Sequence, residues 1–193
     1  MARTPTVVLA ALESIGSGPA DVTRLLLSHA HPDHLGGTAH VAKETGLGID
    51  VHADDASYVR DGEIAPQVAV GLLGRLLHLL TPKQDVEPLP VGAELTDGQL
   101  LPVAGGLRVL HMPGHSPGHA GFLHEPSGVL VTGDAIMNPI RLRWSPKSVC
   151  SDYRMSQRTA HRLGELDYGV AAFTHGPERP REHIRRFLAR HSD

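Results

Sequence analysis

The chain has 193 residues, 40% of them hydrophobic and 20% charged, with a formal net charge of −3 and a single cysteine, Cys150. That size fits one domain spanning residues 1–193 with room for a substantial core, and the charge balance leaves no basic footprint for nucleic acid. One cysteine excludes an intramolecular disulfide and fits a reducing, cytoplasmic location, so Cys150 reads as structural.

In chain order, Val7–Ile15 predicts a short helix stopped by the Gly-Ser-Gly-Pro run at 16–19, and Val22–Leu27 a buried strand. Leu35–Thr45 predicts a helix ending at Gly46, Ile49–His52 a strand, and Asp54–Arg60 a helix with an Asp cap. A helix is expected near 68–80; the leucines of Ile64–Leu80 fit an apolar acyl pocket lining or lidding a cleft and fit a packed helix face equally well. The run Leu72–Leu80 is too short, and too interrupted by Gly74, Arg75 and His78, to span a bilayer, so no membrane partner is expected. Leu107–Leu110, Ala120–His124 and Val129–Thr132 predict strands, the last two joined by a turn at 125–128. Ser156–Leu166 predicts a helix, Val170–Phe173 a strand and Pro180–Arg190 a terminal helix. Strands alternating with helices argue a layered α/β domain.

Chemistry concentrates where these strands stop. After the first comes Ser-His-Ala-His-Pro-Asp-His-Leu-Gly-Gly at 28–37, with His29, His31, Asp33 and His34 inside six positions. His115 and His119 follow the strand at 107–110, Asp134 follows the strand at 129–132, and His175 follows the strand at 170–173. Imidazole and carboxylate are the ligands that zinc and similar divalent cations take. Four apolar runs that each end in His or Asp beside Gly or Pro point to one site built from several strand ends.

The order His-x-His-x-Asp-His, Pro-Gly-His-Ser-x-Gly-His, Gly-Asp and a late His-Gly resembles the metallo-β-lactamase superfamily, nearest to its glyoxalase II-like metallo-hydrolases. The resemblance covers roughly residues 7–190. It implies an αββα sandwich with the metal site at one edge of the two sheets. It also implies that the opening strands of such proteins are missing ahead of the first helix, as in an N-terminally truncated chain or one with a misplaced start. Such a loss would leave a sheet edge and part of the core open, inviting aggregation or pairing into a homodimer.

Carried over residue by residue, the resemblance assigns His29, His31 and His115 to a first metal, Asp33, His34 and His175 to a second, and Asp134 to a bridge between them. The cofactor implied is a pair of divalent ions, zinc first, with iron or manganese as alternatives. A bridging hydroxide would attack an ester, thioester or lactone of a small-molecule substrate, with Asp33 orienting or relaying a proton. His119 is expected behind the ligands, His111 at a strand end pointing away, and His52 near the rim. Arg141, Arg143 and Trp144 are candidates to reach that rim and hold a carboxylate or sulfate, with a solvated loop the favoured alternative. Tyr153 and Tyr168 are the tyrosines considered in place of the lactonase hydroxyl, whose position here is Met137.

The same resemblance narrows the reaction. Asp134 stands near where cysteine-type β-lactamases carry their cysteine, and His31 where flavodiiron proteins carry glutamate. The sequence runs only a short way past His175, so the glutathione-gripping region of glyoxalase II proper is not expected in it. Two rivals remain open: a mononuclear-iron persulfide dioxygenase, and a truncated metal-binding domain without turnover. The excess of arginine over lysine hints at a GC-rich bacterial genome.

Overall fold

The computed structural model describes residues 4–67 and 86–191. Helix α1 (Thr4–Ser14) packs on α2 (Pro32–Thr45), and a 3-10 turn (Pro19–Asp21) leads from α1 into β1 (Leu25–Leu26). Strand β1, strand β2 (Ile49–His52) and strand β3 (Val91–Leu95) form a parallel three-stranded sheet in that order. Helix α2 makes the crossover from β1 to β2, and α3 (Ala53–Asp61) follows β2.

A second sheet runs β11-β10-β7-β6-β5-β4. Its members are β4 (Leu100–Leu101), β5 (Leu107–His111), β6 (Ala120–His124), β7 (Val129–Val131), β10 (Val170–Ala172) and β11 (Arg179–Pro180). A small hairpin of β8 (Ile136–Met137) and β9 (Arg143–Trp144) follows β7. Helices α4 (Tyr153–Ala160) and α5 (Arg162–Glu165) precede β10, and α6 (Arg181–Ala189) closes the described chain. Among the described residues no helix is long and apolar enough to cross a membrane.

Side-chain alternation along the strands sorts the core into three layers. On β5, Val109 faces the space between the sheets while Leu110 faces the helices; on β6, Phe122 and Leu123 divide the same way. Leu95, Leu101, Val109, Ala120 and Phe122 make the inter-sheet core. Ile49 and Val51 of β2 pack outward against Leu35 and Ala42 of α2 and Ala56 and Val59 of α3. On the far side Leu123, Leu130 and Ala171 meet Ala160, Leu163, Ile184 and Leu188 of α4, α5 and α6. The layers are therefore helix, sheet, sheet, helix, as the resemblance implies.

Several expectations are corrected. The first strand is two residues long, and among the described residues β1 pairs with β2 alone, through Leu25–Ile49 and Leu26–Asp50. Helix α3 is capped by His52, whose Nδ1 accepts from the Asp54 amide at 3.3 Å, so Asp54 lies inside the first turn. The expected helix over Ser156–Leu166 starts earlier, where the Asp152 side chain accepts from the Met155 amide, and breaks at His161. Strands β3, β4, β8, β9 and β11 are additional. The expected helix near 68–80 lies outside the described residues, as does most of the expected cleft-lining segment.

Strand β1 is the edge of its sheet among the described residues. A groove of about 820 Å³ runs along that edge, walled by Val8, Leu25, Val41, Leu107, Phe122 and Val131. It reaches Asp33, His34, Thr174 and His175. Among the described residues no strand pairs with the outer side of β1, and the groove there borders part of the inter-sheet core.

Leu163 is fully buried where α5 meets the second sheet. Leu163→Ala is expected to destabilise the fold by about 2–5 kcal/mol. Urea unfolding monitored by circular dichroism reads this as a lower midpoint at unchanged slope.

Candidate metal centre

Topology brings the His- and Asp-bearing turns together. Strands β5 and β6 are antiparallel, β6 and β7 are antiparallel, and β7 and β10 are parallel. Strands β5, β7 and β10 therefore run in one direction and end at one edge of the sheet. The turns after them deliver His115, Asp134 and His175 to that edge. The first motif arrives from the other sheet, at the end of β1 and the start of α2, and is fastened by a hydrogen bond from the Ala120 amide of β6 to the Ser28 carbonyl at 2.8 Å. His31 stands immediately ahead of α2, and Pro32 takes the first helical position, where its missing N–H costs nothing. Asp33 then lies in the first turn, at the positive end of the helix.

Three imidazoles converge in the buried half of the site. His31 Nδ1 lies 3.0 Å from His115 Nε2, and His115 Nε2 lies 3.1 Å from His29 Nε2. All three residues are almost fully buried. One proton on His115 Nε2 cannot serve both neighbours, so lone pairs face one another across a very small space. Four ligands at zinc–nitrogen distances would stand roughly 3.3 Å apart at the corners of a tetrahedron, close to the separations here. The donor set therefore fits a divalent cation. Burial, reinforced by the neighbouring imidazoles, holds His29 well below the ordinary histidine value. Burial likewise lowers His31 to about 4 and His115 to about 2, so the three rings are neutral near neutral pH, the form in which imidazole binds metal.

The second half is more open. His175 Nε2 lies 3.3 Å from Asp33 Oδ2, and His34 Nε2 lies 3.7 Å from the same oxygen. The His34 Nε2 atom is buried without a hydrogen-bond partner, an orphan that a cation would satisfy. The Asp33 side chain is about half exposed and His175 about a third.

Asp134 stands between the halves. Its Oδ2 is 3.5 Å from His115 Nε2 and 3.4 Å from His175 Nε2, and its Oδ1 is 3.8 Å from His34 Nε2. Burial opposes ionisation of this carboxyl, but His175 and His34 overcome it and hold the group well below the usual carboxylate range. The Thr174 hydroxyl donates to Asp134 Oδ1, and the Ser145 hydroxyl donates to the Asp134 carbonyl. Gly133 lets the chain turn here: its φ is +54°, and a Cβ would sit 2.5 Å from His119 Nε2.

All seven sequence-predicted residues thus meet at one place: His29, His31 and His115; Asp33, His34 and His175; and Asp134 between. His119 sits behind them with both ring nitrogens engaged. Its Nδ1 donates to the Met112 carbonyl at 3.1 Å, and its Nε2 accepts from the Asp134 amide at 2.8 Å. His111 and His52 lie elsewhere, their rings stacked 3.7 Å apart, with His111 Nε2 donating to the Pro117 carbonyl. Trp144 does not reach the rim; it packs on Phe187 and beside His191. Tyr168 is buried in the core between the second sheet and the helices. Cys150, read as merely structural, has its Sγ 3.8 Å from His115 Nδ1. Thr174, Ser145 and Cys150 carry no spacing signal in the sequence; only the fold places them against Asp134 and His115.

The metallo-beta-lactamase superfamily model matches residues 2–175. The chain belongs to this superfamily. Its relatives include the probable metallo-hydrolase YflN of Bacillus subtilis, 26% identical over 68% of this chain and 50% of that protein. They also include the bovine acyl-coenzyme A thioesterase MBLAC2, 29% identical over 72% of this chain and 49% of that protein. The chain thus spans about half the length of the curated relatives it matches. Among solved structures, the superfamily protein TTHA1429 of Thermus thermophilus superposes with a TM-score of 0.71 at 27% identity, over 96% of this chain and 66% of that one. TTHA1623, solved in a di-iron-bound form, gives 0.67 at 25% identity, over 94% of this chain and 82% of that one. Superfamily membership makes His/Asp clusters of this kind metal-binding candidates, and three of them fall within the seven residues.

His119 supports Asp134 without facing a cation. His119→Ala is expected to weaken divalent-cation affinity by about 10–100-fold, whereas His115→Ala removes uptake at the buried half altogether. Competition titration against a chromophoric chelator separates the two.

Proposed function

We propose that the protein is a metal-dependent hydrolase that cleaves an ester, thioester or lactone. His29, His31 and His115 would hold one divalent cation and Asp33, His34 and His175 a second, with Asp134 shared between them and zinc the first choice of metal. The observation that carries this reading is the Asp134 carboxylate, within 3.5 Å of an imidazole nitrogen from each half. A group holding one ion alone would need no carboxylate placed between two sets of ligands.

Bound there, a cation pair supplies a water of lowered pKa and polarises the substrate carbonyl. The chain's own residues supply the rest. Asp33 is the exposed carboxylate of the site, and its Oδ2 faces His175, so it is placed to orient or relay a proton at the mouth. Thr174 and His119 fix the Asp134 carboxylate and its backbone, so the bridging group needs no reorganisation as charge develops. Relatives named as acyl-coenzyme A thioesterase and as hydroxyacylglutathione hydrolase support thioesters as the first substrates to try.

The purified protein is expected to carry two divalent ions per chain and to hydrolyse members of a panel of p-nitrophenyl esters, lactones and acyl thioesters. Chelation abolishes turnover and zinc, manganese or iron restores it. Asp134→Ala is expected to lower the rate by at least about 100-fold and to break the pairing of the ions. One iron per chain with oxygen consumption on a persulfide would overturn the hydrolase in favour of a dioxygenase. No turnover by folded protein with any metal would leave a binding domain.

A further inference from the structure

One fully buried carboxylate near the site belongs to neither set of ligands. Asp55 lies in the first turn of α3, yet its side chain makes no bond within that helix. Its Oδ2 accepts from the Ala30 amide at 2.9 Å and from the Ser116 hydroxyl at 2.6 Å, and its Oδ1 accepts from the Gly118 amide at 2.6 Å. Ala30 is the residue between His29 and His31. Ser116 directly follows His115, and Gly118 directly precedes His119. Three donors from two loops, 86 positions apart between Ala30 and Ser116 along the numbering of the chain, therefore close on one carboxylate.

The contact is close by construction. A Cβ on Gly118 would sit 2.5 Å from the Asp55 amide nitrogen and 2.7 Å from its Cβ, so the loop can press onto α3 only with glycine there. Asp55 also stands at the positive end of α3, which favours a carboxylate. Burial raises its pKa above the ordinary value, and the bonds from Ser116, Ala30 and Gly118 work against that rise. A buried carboxylate that accepts from two backbone amides and a hydroxyl holds its partners in one geometry.

We propose that Asp55 is a positioning residue for the metal centre: by tying the backbone between His29 and His31 to the turn that carries His115, it sets the spacing of those three imidazoles. It touches no substrate and no reacting atom. The inference rests on the metal-centre reading above and adds to it how the two ligand loops are held together.

The test uses Asp55→Asn on the full chain. Asparagine has the same shape, but in either orientation its NH₂ faces a backbone N–H, so one of the two loops loses its anchor. The probe is Co²⁺, read by its visible absorption and by competition with a chelator. Asp55→Asn is expected to bind about 10–100-fold more weakly and to show a shifted cobalt spectrum. Leu163→Ala, in the core on the far side of the second sheet, serves as the stability control and is expected to keep wild-type affinity and spectrum. Ser116→Ala removes only one of the three bonds and is expected to shift the spectrum in the same direction by less; it carries the test should Asp55→Asn fail to fold. Wild-type affinity and spectrum in Asp55→Asn, or in Ser116→Ala if that variant stands alone, overturns the proposal. So does an equal loss in Leu163→Ala, which would make the effect one of stability alone. Failure of the wild-type chain to take up Co²⁺ is a separate outcome: it sinks the metal centre itself, and the positioning role with it.

Discussion

The structure depends on one buried carboxylate meeting imidazoles from both halves of a site. Asp134 is 2% exposed, and His29, His31 and His115 around it are as deeply buried. Placing that many polar groups out of water is unfavourable unless each finds a partner. The contacts between His115 or Asp134 and the first motif join distant parts of the chain, so the two sheets must close in a fixed register before these are made. The like direction of β5, β7 and β10 makes this feasible. Were β7 and β10 antiparallel, His175 would leave from the opposite edge of the sheet.

Behind the converging groups stands a layer of hydrogen bonds that leaves them little freedom. His119 spans the Met112 carbonyl and the Asp134 amide, Thr174 and Ser145 hold Asp134 from two sides, and Cys150 backs the outer nitrogen of His115. With its Nε2 accepting from a backbone amide, His119 must carry its proton on Nδ1 and stay neutral. Burial agrees, lowering its pKa to about 4. A ring so committed has no lone pair left to offer a cation, which is why a second Pro-Gly-His in the same loop does not add a ligand.

What was legible in the sequence and what was not follow from one physical difference. A strand that ends in His or Asp next to Gly announces itself locally, because the apolar run and the polar stop are adjacent. His29–His34, His115, Asp134 and His175 are all of this kind, and so are the strands that carry them. Asp55 and Thr174 act through contacts to residues 25 or more positions away, which no local pattern encodes. The two-residue strands β4, β8, β9 and β11 are too short to show a period of two. The sequence pattern places His52 near the rim and a cap at Asp54, but the His52 imidazole itself caps the helix, since a side chain two residues before a free amide can reach it as well as a carboxylate can. The local sequence holds nothing that marks Leu25 and Leu26 as the outer strand of their sheet among the described residues.

The two halves of the site are unlike, and the difference orders their roles under the proposed reading. The buried half is built of three neutral, almost fully buried imidazoles, so under that reading its part would be to fix charge in place. The outer half includes Asp33 and His175, both partly exposed, and it faces the groove along β1. Under that reading a substrate would enter from the groove past Asp33 and His175, and among the described residues that line the groove Asp33 is the carboxylate. With two divalent cations in place, the two carboxylates would offset only part of their charge, and under the proposed reading the remaining positive charge would favour the negative charge that an acyl oxygen gains. The neutrality of the buried imidazoles matters to that balance, since anionic ligands in their place would cancel the excess.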